Sequence, residues 1–114
     1  MWTRVADVSE LQERQWKLVT VSGREIGLWR AASECFAVLN ICPHARAPVC
    51  KGEVTGRVVC RDGRPDYDCN AKTLRCPWHR WEFDLQTGAA VVPVRQRLKT
   101  FATRIVSGEV QIDV

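Results

Sequence analysis

Histidine is scarce in this chain. There are two in 114 residues, His44 and His79. Long apolar runs are absent: nothing approaches the roughly 18 consecutive apolar residues that a membrane-spanning helix needs, which excludes a helical span. The N-terminal stretch MWTRVADVSELQERQ has no apolar core of the kind a secretory signal carries, so a cytoplasmic location is expected. Sustained 3.6-residue periodicity, internal repeats and low-complexity tracts are also missing, which argues against a helical bundle or a solenoid. The charge excess is mild, 17 Lys and Arg against 13 Asp and Glu for a net +4. No nucleic-acid-binding signature accompanies it, so a solvated basic surface is the simplest reading and no nucleic-acid partner is expected.

Cysteine, by contrast, is abundant: Cys35, Cys42, Cys50, Cys60, Cys69 and Cys76. In a secreted chain an even number would suggest a disulfide framework. Without a signal peptide, reduced thiols or metal ligands fit better. The apolar fraction of 46% and charged fraction of 26% are those of an ordinary globular protein, and the length suits one domain over 1–114.

Short strand-like segments separated by turn signals dominate. WTRVADV, WKLVTV, REIGLWR, CFAVLNI, TLRCPW, WEFDL, VRQRLKTFATRIV and EVQIDV all read as β, and Ser22-Gly23 and Ser107-Gly108 read as tight hairpin turns. In the last strand Val110, Ile112 and Val114 share one face. Arg95, Arg97 and Lys99 fall on one face of a predicted strand and read as a solvent-facing edge. One helical turn is expected at SELQERQ, with Ser9 as cap and Gln12 at the capping-box position. The Gly-, Pro- and Asp-rich stretch 51–72, with GEVTGR and RDGRPDYDCN, reads as a long loop. Within it Asp62, Asp66 and Asp68 read as solvated, and Cys60 and Cys69 could close it by a disulfide. Cys35 reads as a core residue. The fold class is all-β, built of antiparallel hairpins.

Both histidines stand beside a cysteine. The first pair is Cys42-x-His44 in ICPHARAPVC, the second Cys76-x-x-His79 in RCPWHRWEFDLQTG, and prolines 43 and 77 stiffen both stretches. Together they offer a Cys2His2 set, suited to zinc or iron. Structural zinc sites usually pair like ligands at wider spacing. Here unlike ligands are paired, as a [2Fe-2S] cluster with two histidines on one iron would need, each stretch sending a cysteine to one iron and a histidine to the other.

CPHARAP and CPWHRWEFDLQTG resemble the two cluster-binding loops of Rieske ferredoxins, and the resemblance runs from TRVADVSEL to the final hairpin VSGEVQIDV. It implies a Rieske-type fold of small antiparallel sheets with the two loops at one tip. It implies that Cys42 and Cys76 bind one iron and His44 and His79 the other, at the exposed end. It further implies a one-electron carrier between a flavoprotein reductase and a terminal oxygenase or other oxidoreductase. A small Rieske subunit of an assimilatory nitrite reductase is the alternative, and a structural zinc domain a weaker one. An oxygenase would need a second, mononuclear iron on two further histidines, which the chain lacks. Three features depart from the family pattern. Arg46 and Arg80 stand where glycine is usual, and the stretch between the motifs is longer than usual. High-potential members carry a loop-linking disulfide and two hydroxyls near the cluster; the matching positions here are Ala47 and Trp78, then Trp81 and Phe83, and none has the needed group. A potential at the lower end of the Rieske range is therefore expected. Trp78 and Trp81 are expected to pack around the loops.

Overall fold

The computed structural model describes residues 1–43, 47–77, 81–91 and 95–114, with the backbone alone for Val58, Cys69 and Asn70. Among them ten strands run in order: β1 Trp2–Asp7, β2 Trp16–Val21, β3 Arg24–Ala31, β4 Glu34–Leu39, β5 Glu53–Arg61, β6 Arg64–Arg75, β7 Glu82–Asp84, β8 Thr100–Phe101, β9 Thr103–Val106 and β10 Glu109–Asp113. All pairings between these strands are antiparallel. The all-β expectation holds. The single domain read from the sequence divides into two compact units, residues 1–40 with 99–114, and residues 41–98.

In the first unit the sheet orders are β1-β10-β9 and β2-β3-β4-β8. The β2–β3 and β9–β10 connections are two-residue turns with positive φ at both positions: Ser22 at 51° and Gly23 at 77°, Ser107 at 51° and Gly108 at 79°. That geometry matches the twist of the flanking strands, and glycine adopts it at little cost. The alternation of the strands then delivers Ala6, Ile26, Leu28, Ala37, Val110 and Ile112 to a common core with Leu11, Cys35 and Phe101. Burying each of the larger side chains is worth about 1.5–3 kcal/mol. Val110 and Ile112 are inside as their spacing predicts, while Val114 stays more than a third exposed.

In the second unit β5, β6 and β7 form one sheet in that order. Leu74 on β6 faces Phe83 on β7, and both are fully buried, as are Val49 and Leu85.

Three expectations are corrected here. The stretch 51–72 is not a long loop: 53–75 is a β-hairpin closed by Asp62 at φ 51° and Gly63 at φ 75°, the same two-residue turn again. Pro65 fits because it sits at the start of β6, opposite Cys60, where no third strand needs its missing N–H. The strand predicted through VRQRLKTFATRIV is broken: 95–99 lies outside any named strand, β8 is two residues long, and β9 comes after it. Val92–Val94 lie outside the described residues. The helical turn is a 3-10 turn at Val8–Glu10 whose cap is Asp7, not Ser9; the Asp7 N–H donates to Glu10 Oε1 at 3.3 Å.

Candidate metal centre

Both candidate cysteine ligands lie in the second unit and are fully buried. Cys42 comes a short step after the end of β4. Its N–H donates to the carbonyl of Ala47 at 2.8 Å, so the chain from 42 to 47 closes on itself. Cys76 comes directly after β6, and its N–H donates to the carbonyl of Trp81 at 2.7 Å, immediately before β7. The two loops thus share one frame, in which a buried cysteine bonds the carbonyl five residues on. Set in that frame, CPHARA and CPWHRW align cysteine with cysteine, proline with proline, Arg46 with Arg80 and Ala47 with Trp81. The histidine is third in one loop and fourth in the other. By sequence count Arg46 and Arg80 each come four residues after the cysteine and one before the residue whose carbonyl accepts its N–H. His44, Arg46, Trp78, His79 and Arg80 themselves lie outside the described residues.

A 3-10 turn at Val49–Lys51 ties the first loop to the rest of the unit. It is held by Lys51 N–H to Pro48 O at 3.0 Å and Gly52 N–H to Val49 O at 2.9 Å. A β-carbon on Gly52 would lie 1.8 Å from the carbonyl oxygen of Arg75, so only glycine lets this turn pack on the strand that ends at Arg75, just before Cys76. No sequence motif singles out Gly52; its role depends on a contact between segments more than twenty residues apart. Beside it lies a cleft of about 340 Å³ lined by Lys51, Gly52, Glu53, Arg75, Cys76 and Pro77. Arg75 faces Glu82 at 3.4 Å across β6 and β7, a half-exposed pair that adds little stability.

Phe83, one position matched by resemblance to a hydroxyl donor, is fully buried and has none to offer. Trp81 packs against it, ring centroids 6.4 Å apart. Ala47 is fully buried, and with no sulfur it forms no loop-linking disulfide.

The other cysteines separate cleanly. Cys35 is a buried core thiol whose pKa is pushed up to about 11 by desolvation. Cys50 is a buried thiol. Cys60 is an exposed free thiol, so the disulfide considered for it with Cys69 is not formed; on β5 it stands opposite Pro65. Asp66 and Asp68 are not a metal cluster but face Arg61 at 3.6 and 3.8 Å. Among the described residues no three His, Cys, Asp or Glu side chains are arranged to hold a metal ion. A site on Cys42 and Cys76 therefore has to be completed from outside those residues, where both histidines lie. Two buried thiols on loops of one frame suit sulfur ligation of a [2Fe-2S] cluster.

The Rieske [2Fe-2S] domain family matches residues 1–102. The chain is 31% identical over 114 residues to the ferredoxin component of the naphthalene 1,2-dioxygenase system of Pseudomonas putida, an alignment covering 99% of this chain and 95% of that one. Its fold is similar to the ferredoxin of carbazole 1,9a-dioxygenase from Nocardioides aromaticivorans IC177, with TM-score 0.77 and 22% identity over 98% of this chain and 96% of that one. It is also similar to a putative NADH-dependent nitrite reductase small subunit from Mycobacterium tuberculosis, with TM-score 0.75 and 21% identity over 98% and 93%. The domain match implies a Rieske-type [2Fe-2S] cluster as the resident cofactor, and the chain belongs to the Rieske [2Fe-2S] domain family.

Proposed function

We propose that this protein is a Rieske ferredoxin, a one-electron carrier in which Cys42 and Cys76 hold one iron and His44 and His79 the other. The observation that carries the reading is the pair of buried cysteines, each at the head of a loop closed by the same backbone hydrogen bond. When bound, the cluster supplies a store for one electron. The chain's own residues do the rest. Burial of both thiols keeps water from the sulfur side, and the Cys42–Ala47 and Cys76–Trp81 main-chain bonds tie the ends of each loop together.

The electron donor in this reading is a flavoprotein reductase and the acceptor a terminal oxygenase or other oxidoreductase; its support is that a relative named as the ferredoxin component of a dioxygenase system aligns with nearly the whole chain. The reading places the protein in the cytoplasm. No helix among the described residues is long and apolar enough to cross a membrane. By itself the chain carries electrons and catalyses no substrate reaction. The small subunit of a nitrite reductase is the second reading, favoured by the fold likeness to such a subunit.

Purified protein should contain two irons and two sulfides per chain and take up one electron from dithionite, with bleaching of a red-brown colour. Cys42→Ser and Cys76→Ser should each abolish both. A colourless protein holding zinc would overturn the reading. The two biological roles separate in a coupled assay: support of arene oxidation by a reductase and oxygenase pair favours the ferredoxin, support of nitrite reduction the subunit.

A further inference from the structure

The sheet β5-β6-β7 has two faces. Leu74 and Phe83 turn one of them to the core. Side chains alternate along a strand, so Thr73 and Arg75 stand on the other, with Thr55, Asp84 and Glu82 opposite them in register. On this second face lies a cleft of about 460 Å³, bordered by Thr55, Gly56, Arg57, Tyr67, Arg75 and Glu82. That is the size of a small-molecule pocket. Neither cysteine of the metal centre lines it.

Three features of the cleft suit one kind of ligand. Its cations are only partly engaged. Arg57 donates to Asp84 at 3.5 Å and Arg75 to Glu82 at 3.4 Å, one contact each among the described residues. A guanidinium forked onto a carboxylate makes two contacts of about 2.7–2.9 Å. Both arginines therefore keep N–H donors for a second anion. The aromatic wall is open: Tyr67 is 57% exposed. A β-carbon on Gly56 would stand 2.8 Å from Cζ and Oη of Tyr67, so glycine is what seats the ring at the cleft. The same sheet face also holds a polar group in need of a partner. Thr73 is fully buried, and its hydroxyl is, among the described residues, the one buried side-chain oxygen or nitrogen that makes no hydrogen bond. A buried hydroxyl in that state costs free energy until something supplies a partner.

The geometry points to a binding site for a small planar aromatic acid, with its ring against Tyr67 and its carboxylate on Arg57 and Arg75. The Thr73 hydroxyl is then served by a carboxylate oxygen, directly or through one water. Arginine matches a carboxylate as a planar fork and tolerates a flat ring beside it. A cationic ligand fits less well, because the border carries two guanidiniums and one carboxylate. An aliphatic acid would leave the Tyr67 ring without a stacking partner. The site needs no electron transfer, so it stands or falls apart from the carrier reading.

Tyr67 is the only tyrosine of the chain, so biosynthetic incorporation of fluorotyrosine labels this cleft alone. The purified, cluster-loaded protein is titrated with sodium benzoate and followed by fluorine NMR. The single resonance should shift saturably, with half-saturation at about 1 mM. Benzamide, which lacks the charge, and acetate, which lacks the ring, should bind at least about tenfold more weakly. A resonance that stays still up to about 20 mM benzoate, or that answers all three equally, would overturn the inference. Arg57→Gln and Arg75→Gln should each weaken benzoate binding about fivefold or more, and Arg57→Lys, which keeps the charge but loses the fork, by less. Arg61→Gln, beside the hairpin turn, should leave it unchanged. Thr73→Val should weaken it about threefold while raising the melting temperature, because valine leaves no polar group to satisfy. Full affinity in folded Arg57→Gln and Arg75→Gln proteins, or equal loss from Arg61→Gln, would overturn the site. Full affinity in Thr73→Val would overturn the part given to its hydroxyl.

Discussion

The α-carbon of Gly52 faces the end of β6 so closely that a β-carbon there would stand 1.8 Å from the carbonyl oxygen of Arg75 and 2.9 Å from its carbonyl carbon. The obstacle is backbone, which cannot swing aside as a side chain would. Cys76 comes directly after Arg75, so any relief moves a proposed ligand. Gly52→Ala is expected to cost about 3 kcal/mol or more, the upper end for overpacking, and to lower iron content together with the melting temperature. Thermal denaturation and iron analysis of the same preparation check this; an alanine variant with full iron content and unchanged melting would show that the contact does not position the ligand.

Ala32 adopts φ 54°, a left-handed conformation that costs a residue with a β-carbon about 1 kcal/mol. Its N–H is held by the Glu13 carboxylate at 2.8 and 2.9 Å. Ala32→Gly is expected to stabilise the first unit by up to about 1 kcal/mol, and Glu13→Ala to destabilise it by a similar amount. Urea midpoints of the two variants, read at unchanged m-value, decide the matter.

Burial raises the Cys35 thiol from 9.0 to about 11. The unfolded chain ionises this thiol near pH 9 while the folded chain holds its proton, so stability from this group is complete below pH 9 and is lost as pH rises toward 11. The loss amounts to roughly 3 kcal/mol at most. Cys35→Ala removes this dependence but leaves a small cavity at the edge of the core. The variant should therefore be less stable at pH 8 and lose less on going to pH 10.5, in denaturant titrations at the two pH values. Its iron content should match that of the unmodified protein, because Cys35 belongs to the first unit.

The absence of a hydroxyl on Phe83 and Trp81 bears on the reduction potential. Fewer donors near the cluster stabilise the reduced form less, so a value nearer about −150 mV than about +300 mV is expected. Protein-film voltammetry giving more than about +100 mV would overturn this. Phe83→Tyr should raise the value, and Arg46→Gly or Arg80→Gly should lower it, since a nearby cation favours the more negative, reduced state. Because imidazole ligands lose a proton more easily beside ferric iron, the potential should also fall at alkaline pH. A value that stays flat to strongly alkaline pH would count against histidine ligation.

The hairpins at Ser22-Gly23 and Ser107-Gly108 were legible because a turn pair stands between runs rich in β-branched and apolar residues. Asp62-Gly63 is an equally good turn pair, yet its strands read RVVCR and RPDYD. Much of that ribbon is exposed or half-buried, so no apolar alternation marks it as a strand, and Pro65 adds a false stop. Cys42 and Cys76 stand out in the sequence as proposed ligands because Cys/His spacing is local. The matching closures from Cys42 to Ala47 and from Cys76 to Trp81 do not, since main-chain hydrogen bonds set them. Gly52 was invisible for the same kind of reason: the partner that forbids a side chain there lies on another strand.

The pairing of β4 with β8 has a consequence for how the molecule can be rebuilt. Val38 stands opposite Thr100, and Leu39 N–H donates to Lys99 O at 2.9 Å, so the chain leaves the first unit and re-enters it at adjacent points of one sheet. Everything between, including both cysteine loops, is a single continuous insertion. A short turn joining Asn40 to Lys99 would excise it while leaving every strand and core residue of the first unit in the chain. The same junction is where a loop-bearing segment from a relative could be grafted, exchanging the electron-carrying part without redesigning its support.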